Sequence, residues 1–198
     1  MTADEFWEWV SENSEELLQA DGQTVADHIE EQLREVDDRL GVEVSEPGET
    51  REMIITAWSE AAAFPAVREL VAAAPELAGW QIIALKPPRG FAFGLNVDGL
   101  SIDASELQFD PLSAEENPEL LGVRVYVPSA TDDDDDEENR DRLARVLPLI
   151  LETGIGEEAA AQIDHTDYVA GPATDGSALP IEQLLPYVQW HRKKHGLD

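Results

Sequence analysis

Forty-three aspartates and glutamates stand against thirteen lysines and arginines, and the resulting formal charge of −30 constrains the fold more than any other feature of the chain. Carboxylates remain in water unless they are paired. Helices and strands must therefore be amphipathic, with the charge outside and the apolar residues gathered on inner faces. The apolar material suffices: 42% of residues are hydrophobic and five are tryptophan. A chain of 198 residues buries about 70% of its extended surface on folding, so it needs no covalent staple. None is available, because the absence of cysteine excludes disulfides, thiolate metal sites and cysteine nucleophiles.

The same charge bounds the partners. It repels phosphate backbones and anionic lipid, and it attracts basic proteins within a Debye length of about 8 Å at physiological salt. A basic protein is the expected partner; nucleic acid, membrane and cofactor are not expected. Two origins of the acidity stand side by side, a halophile's salt-adapted surface or an ordinary acidic protein. The opening Met1-Thr2-Ala3-Asp4-Glu5 lacks the basic and apolar regions of a signal peptide, and no apolar run reaches membrane-spanning length. The expected compartment is the cytoplasm.

Thr2 and Glu5 predict a capping box that opens a helix through about Ala20, with Phe6, Val10 and Leu17 on one side and Gly22 as its stop. Val25, Ile29, Leu33, Val36 and Leu40 recur at helical spacing and define a second helix, with Gly41 at its C-terminal cap. Val42–Ser45 and Arg51–Ala57, flanking Glu46-Pro47-Gly48-Glu49, read as strand, turn and strand, with Met53 and Ile55 on one face. A third helix carries Val67, Leu70, Val71 and Ala74. Short strands are expected at Trp80–Leu85, Phe91–Leu95, Glu106–Asp110 and Gly122–Val127. In the last of these Val123, Val125 and Val127 alternate with Arg124 and Tyr126, a half-buried pattern that favours antiparallel pairing. An acidic loop at 129–138 precedes a helix over Asn139–Leu151 that Pro148 should kink or split. A strand near Gln162–Val169, a Gly/Pro/Ala loop at 170–178 and a closing helix complete the chain. The expectation is one α+β domain over 1–198, a mainly antiparallel sheet with helices packed on one face.

Few motifs carry chemistry. Asp132, Asp134 and Asp136 lie in an acidic run that resembles a calcium loop, but Glu137 and Leu143 occupy the positions where an EF-hand needs Gly and Glu. Gly154-Ile155-Gly156-Glu157-Glu158-Ala159 spells a dinucleotide fingerprint, yet a helix precedes it and two glutamates stand where pyrophosphate would sit. His191 and His195 are spaced to share a metal, but Arg192, Lys193 and Lys194 surround them, which suits a basic helix end. His165 and Asp167 share a strand face and are the weak candidates for a general base with its orienting carboxylate. Trp7 and Trp9 lie about 200° apart around a helix, so at least one is exposed or packs on another element, as core or as anchor for a partner. Lys86-Pro87-Pro88-Arg89 is a positive loop in an acidic chain, and Lys86 and Arg89 either receive an anionic group or balance nearby carboxylates.

Phe6-Trp7-x-Trp9, Ala73-Ala74-Pro75-Glu76-Leu77-x-Gly79-Trp80, Ala84-x-Lys86-Pro87 and Leu185-Pro186-x-Val188 together resemble a family of uncharacterised bacterial proteins of about this length. The resemblance implies a single α+β domain and no assigned activity, cofactor or catalytic residue. With no nucleophile motif and a large negative charge, the favoured expectation is a non-enzymatic interaction protein of inhibitor or immunity type. The alternatives are a hydrolase-like enzyme using carboxylates or a His165–Asp167 base, and a salt-adapted housekeeping protein.

Overall fold

A computed structural model of the chain describes residues 1–97, 100–113, 116–130, 137–174 and 176–197. The class is α+β: among the described residues there are six α-helices and three small sheets, with mostly antiparallel pairing. The chain gathers into two compact units, Met1–Lys86 and Pro87–Asp198.

The first unit contains α1 (Ala3–Gln19), α2 (Gly22–Val36), β1 (Gly41–Val44), β2 (Arg51–Thr56), α3 (Phe64–Ala72) and β3 (Trp80–Ala84). The capping box forms as the sequence predicts, with the Thr2 amide donating to Glu5 Oε2 at 2.7 Å and the Glu5 amide to Thr2 Oγ1 at 3.3 Å. Gly22 is not a stop signal. It is the first residue of α2, which Asp21 caps by accepting from the Thr24 amide. Val25, Ile29 and Leu33 form the buried stripe of α2, but the helix ends at Val36, so Leu40 is buried outside it and Gly41 opens β1. The sheet order is β1-β2-β3, with β1 antiparallel to β2 and β3 parallel to it; α3 makes the crossover. As the centre strand, β2 is buried on both faces: Met53 and Ile55 on one, Ile54 and Thr56 on the other.

Arg51 shares the Met53 face and is fully buried. Its Nη1 donates to the carbonyls of Leu17 (2.5 Å) and Ala20 (2.8 Å), and its Nε and Nη2 both reach the Ser45 carbonyl at 3.0 and 2.6 Å. The guanidinium also lies 5.4 Å from the centre of the Trp80 ring. The last carbonyls of a helix lack intrahelical donors and carry partial negative charge, so a cation at the end of α1 satisfies both needs. One side chain thus ties the end of α1 and the β1–β2 turn to the centre strand and β3. The buried indoles are satisfied as well: Trp7 Nε1 donates to Leu70 O at 2.8 Å and Trp80 Nε1 to Ser14 Oγ at 3.0 Å.

The second unit contains β4 (Gly94–Val97), β5 (Leu100–Asp103), β6 (Gln108–Leu112), β7 (Gly122–Val127), α4 (Glu137–Ile155), α5 (Glu157–Ala160), β8 (His165–Ala170), β9 (Leu179–Pro180) and α6 (Leu184–His195). β4 and β5 form an antiparallel hairpin, of which β5 lies outside the strands expected from the sequence pattern. The larger sheet runs β8-β7-β6-β9. Its β7–β8 pair is parallel, against the expected antiparallel pairing, because α4 and α5 carry the chain back before β8 begins. Pro111 is tolerated within β6 because β9 pairs only with Gln108 and Phe109. α4 runs through Pro148 without a break and starts at Glu137, so the end of the expected acidic loop is helical. Val123, Val125 and Val127 join Leu143, Val146, Leu147 and Ile150 in one core.

Gly154 shows why the apparent dinucleotide fingerprint is a packing feature. A Cβ there would lie 2.2 Å from the Phe91 ring, and the Gly154 carbonyl accepts from the Gly90 amide at 3.0 Å. Gly156 (φ +83°) makes the turn from α4 into α5.

Replacing Arg51 by Ala removes the guanidinium donors from one buried and two partly buried carbonyls and empties a fully buried side-chain site, so Arg51→Ala is expected to cost about 3 kcal/mol in urea unfolding. Arg51→Lys is expected to recover less than half of that, because an ammonium cannot span the same fork. A smaller effect concerns pH. The Arg39 side chain and amide beside Asp37 lower that carboxyl from its ordinary 3.8 to about 2. Any stability from the pair is therefore complete above about 4 and fades as pH falls through about 2. Carboxyl NMR titration is expected to place Asp37 near 2, and Arg39→Ala should raise it only part of the way back, because the amide of residue 39 still donates to Oδ1.

Candidate functional site

Within the first unit, Gly22, Gln23, Ala26, Asp27 and Glu30 of α2 and Val42, Glu43 and Val44 of β1, together with Glu46 and Trp58, line a groove of about 500 Å³. Four of these residues are carboxylates. The polar side of α2 and the edge strand β1 supply three of them, because the apolar stripe of α2 turns the other way into the core. Glu46 Oε2 accepts from the Gly22 amide at 3.3 Å, which fixes the turn after β1 against the start of α2.

Trp58 is the distinctive element. It follows β2, remains 53% exposed, and has φ +52°, while the next residue, Ser59, has φ +64°. Left-handed backbone at two consecutive non-glycine residues is uncommon, and each such residue costs about 1–2 kcal/mol. The indole is received by Gly41, where a Cβ would lie 2.3 Å from Trp58 Nε1. The Lys86 ammonium sits 4.5 Å from the ring centre and 2.7 Å from Glu43 Oε1. An aromatic face, a carboxylate and an ammonium therefore meet at the groove's edge, a cation–π contact joined to an ion pair.

The residues singled out in the sequence fall elsewhere or play other parts. Trp7 is 3% exposed and packs edge-on against Phe6, so it is a core residue with no surface to offer a partner; Trp9 is half-buried. Lys86 is engaged by Glu43 and Trp58 rather than held out to an anion. Arg89 lies in the second unit, exposed, with its amide bonded to the Thr153 carbonyl at 2.9 Å. Asp132, Asp134 and Asp136 lie outside the described residues.

His165 and Asp167 lie on the polar face of the larger sheet, in a register that aligns Asp110, Arg124 and Asp167 across three strands. Arg124 Nε donates to Asp167 Oδ2 at 2.8 Å, and the Tyr168 amide donates to Oδ1 at 2.9 Å. The guanidinium also holds the Asp167 carboxyl below its usual range. Each oxygen thus accepts from a group other than the exposed His165 ring, and the guanidinium offsets the charge that would orient an imidazole in a general base. Asp110 is similarly occupied by Tyr126 Oη at 2.8 Å and Ser177 Oγ at 3.3 Å. His191 is buried with Nε2 3.2 Å from Pro118 O, and its ring centre is 4.5 Å from that of His195. Burial, then the neighbouring His191 and Lys194, lower the His195 pKa. Among the described residues, no group of three His, Asp or Glu side chains is placed to hold a metal ion, and no helix is long and apolar enough to cross a membrane.

No family model, curated protein or solved structure matches the chain.

Because its backbone is strained and its ring half-exposed, Trp58 should be nearly dispensable for stability. Trp58→Gly is expected to change the unfolding free energy by no more than about 1 kcal/mol, against about 3–5 for a core tryptophan truncated to Ala. Gly41→Ala should instead expel the indole, raising its accessibility to acrylamide quenching and costing about 1–3 kcal/mol.

Proposed function

We propose that this chain is a non-catalytic interaction protein that binds a basic protein. An inhibitor or immunity-type protein acting on a basic partner is one concrete form. The observation that carries this reading is the α2–β1 groove, where an exposed aromatic ring lies among carboxylates on a chain of formal charge −30. Aromatic residues at the centre of a patch supply affinity, while surrounding charge supplies orientation and encounter rate. The hydrolase-like alternative draws no support from the His165–Asp167 pair, since Arg124 occupies the carboxylate that would orient the base.

The test is capture from the native cell extract with immobilised protein. A stoichiometric partner of basic isoelectric point is expected at about 0.1 M salt and should be released near 1 M, where the Debye length falls from about 10 Å to about 3 Å. Recovery of no stoichiometric partner at the lower salt would count against the reading.

A further inference from the structure

We propose that the outer edge of β3 accepts an extended segment of the basic partner as an added strand. An apolar side chain of that segment enters the hollow beside Trp80 and Ile82, and a lysine or arginine lies against Glu76. The proposal rests on the interaction reading above for the partner's charge, and it places a contact on the edge of the sheet opposite β1.

The pairing of β3 leaves one side of its backbone unused. The Arg51 amide donates to the Gly79 carbonyl and the Leu85 amide to the Ile55 carbonyl, both at 2.8 Å. Alternate residues of a strand turn their amide and carbonyl to the same neighbour. Gly79, Gln81, Ile83 and Leu85 therefore face β2, and Trp80, Ile82 and Ala84 face away from it. The Trp80 amide is satisfied by the Leu77 carbonyl at 3.1 Å, whereas Ile82 and Ala84 have no strand on that side among the described residues. Each offers a donor and an acceptor, and main-chain groups of this kind are what an added strand takes up. Nothing in the strand obstructs it: β3 has no ionised side chain and no proline, and its register with β2 is unbroken.

Two further observations say what the added strand carries. Val71 of α3, Leu77, Trp80 and Ile82 line a hollow of about 380 Å³ along the same edge. A pocket beside an edge strand selects one side chain of each alternate pair, here an apolar one. Glu76 is the one carboxylate of that lining; it is exposed, and it has no hydrogen bond or ion pair among the described residues. A free carboxylate beside an apolar hollow is complemented by a cation next to an apolar residue. A second copy of the chain would instead bring its own charge of −30 to the contact, and like-charge repulsion disfavours it.

The probe is a fluorescein-labelled octapeptide of alternating valine and lysine, titrated by anisotropy against the full chain. Two isomers are compared with it, one N-methylated at the valines and one at the lysines. In a strand the valine amides point to one edge and the lysine amides to the other. The isomers carry the same charge, so the overall field of the chain cannot separate them. One isomer is expected to bind at least about tenfold more weakly than the parent, while the other keeps most of its affinity. Saturating peptide should slow hydrogen exchange at the Ile82 and Ala84 amides at least about tenfold. Ala84→Pro removes only an outward N–H, so it should remain folded in a thermal melt and weaken the peptide about tenfold. Glu76→Gln should weaken it about threefold. Failure of the peptide to bind, equal effects of the two methylations, or unchanged exchange at Ile82 and Ala84 overturns the site, and these readouts hold whether or not Ala84→Pro folds. Unchanged affinity in Glu76→Gln overturns the assigned cation. Self-association by sedimentation that Ala84→Pro abolishes would make the occupant a second copy, and would also overturn the proposal. If folded Ala84→Pro captures the basic partner from extract as well as the parent chain does, the interaction reading survives and only this location falls. If no basic partner is captured while the peptide still protects Ile82 and Ala84, that reading falls and the strand-accepting edge stands.

Discussion

The first unit is organised around one buried cation. Arg51 enters the core on the centre strand and is met by carbonyl oxygens from the end of α1 and from the β1–β2 turn. A buried charge is tolerable only when every donor finds an acceptor, and the three carbonyls need donors as much as the guanidinium needs acceptors. This mutual need sets where α1 stops relative to β2. It also fixes the turn that carries Glu46, and Glu46 in turn holds the start of α2. The groove wall thus inherits its position from a residue that does not line it.

An acidic chain has many carboxylates that mean nothing individually, and the second unit shows how they are spent. The Asp110–Arg124–Asp167 row and the Tyr126 and Ser177 hydroxyls use the polar face of the sheet as a cross-strand network. Such pairs stabilise a sheet by modest amounts and specify its register. The groove carboxylates of the first unit are engaged as well: Asp27 accepts from Gln23 Nε2, Glu30 pairs with Arg34, Glu43 pairs with Lys86, and Glu46 accepts from the Gly22 amide.

The sequence makes legible the elements whose signals are local. The Thr2–Glu5 box, the α2 stripe and the Val123–Val125–Val127 alternation all appear where residue chemistry predicts them, because each depends on neighbours a few positions away. Gly22 and Gly41 mislead: a glycine after a helical stripe signals a cap, but here one begins a helix and the other makes room for Trp58. The parallel β7–β8 pair is hidden because the crossover, not the strand pattern, decides direction. Arg51 was within reach, since period two places it with Met53 and Ile55, although its partners were not. The Trp58 site was out of reach, because no propensity anticipates a tryptophan at positive φ beside a glycine from another strand.

The strand order of the first unit bears on aggregation. One border of its sheet, β1, carries Glu43; the other, β3, spells Trp-Gln-Ile-Ile-Ala and has no ionised side chain. Border strands invite end-to-side joining with other molecules unless charge or proline interrupts them. β3 itself contains neither, so what opposes such joining there is the long-range repulsion of a chain of formal charge −30. Colloidal stability therefore rests on net charge acting at a distance, and it is weakest near the isoelectric point of about 4.1, where that repulsion vanishes.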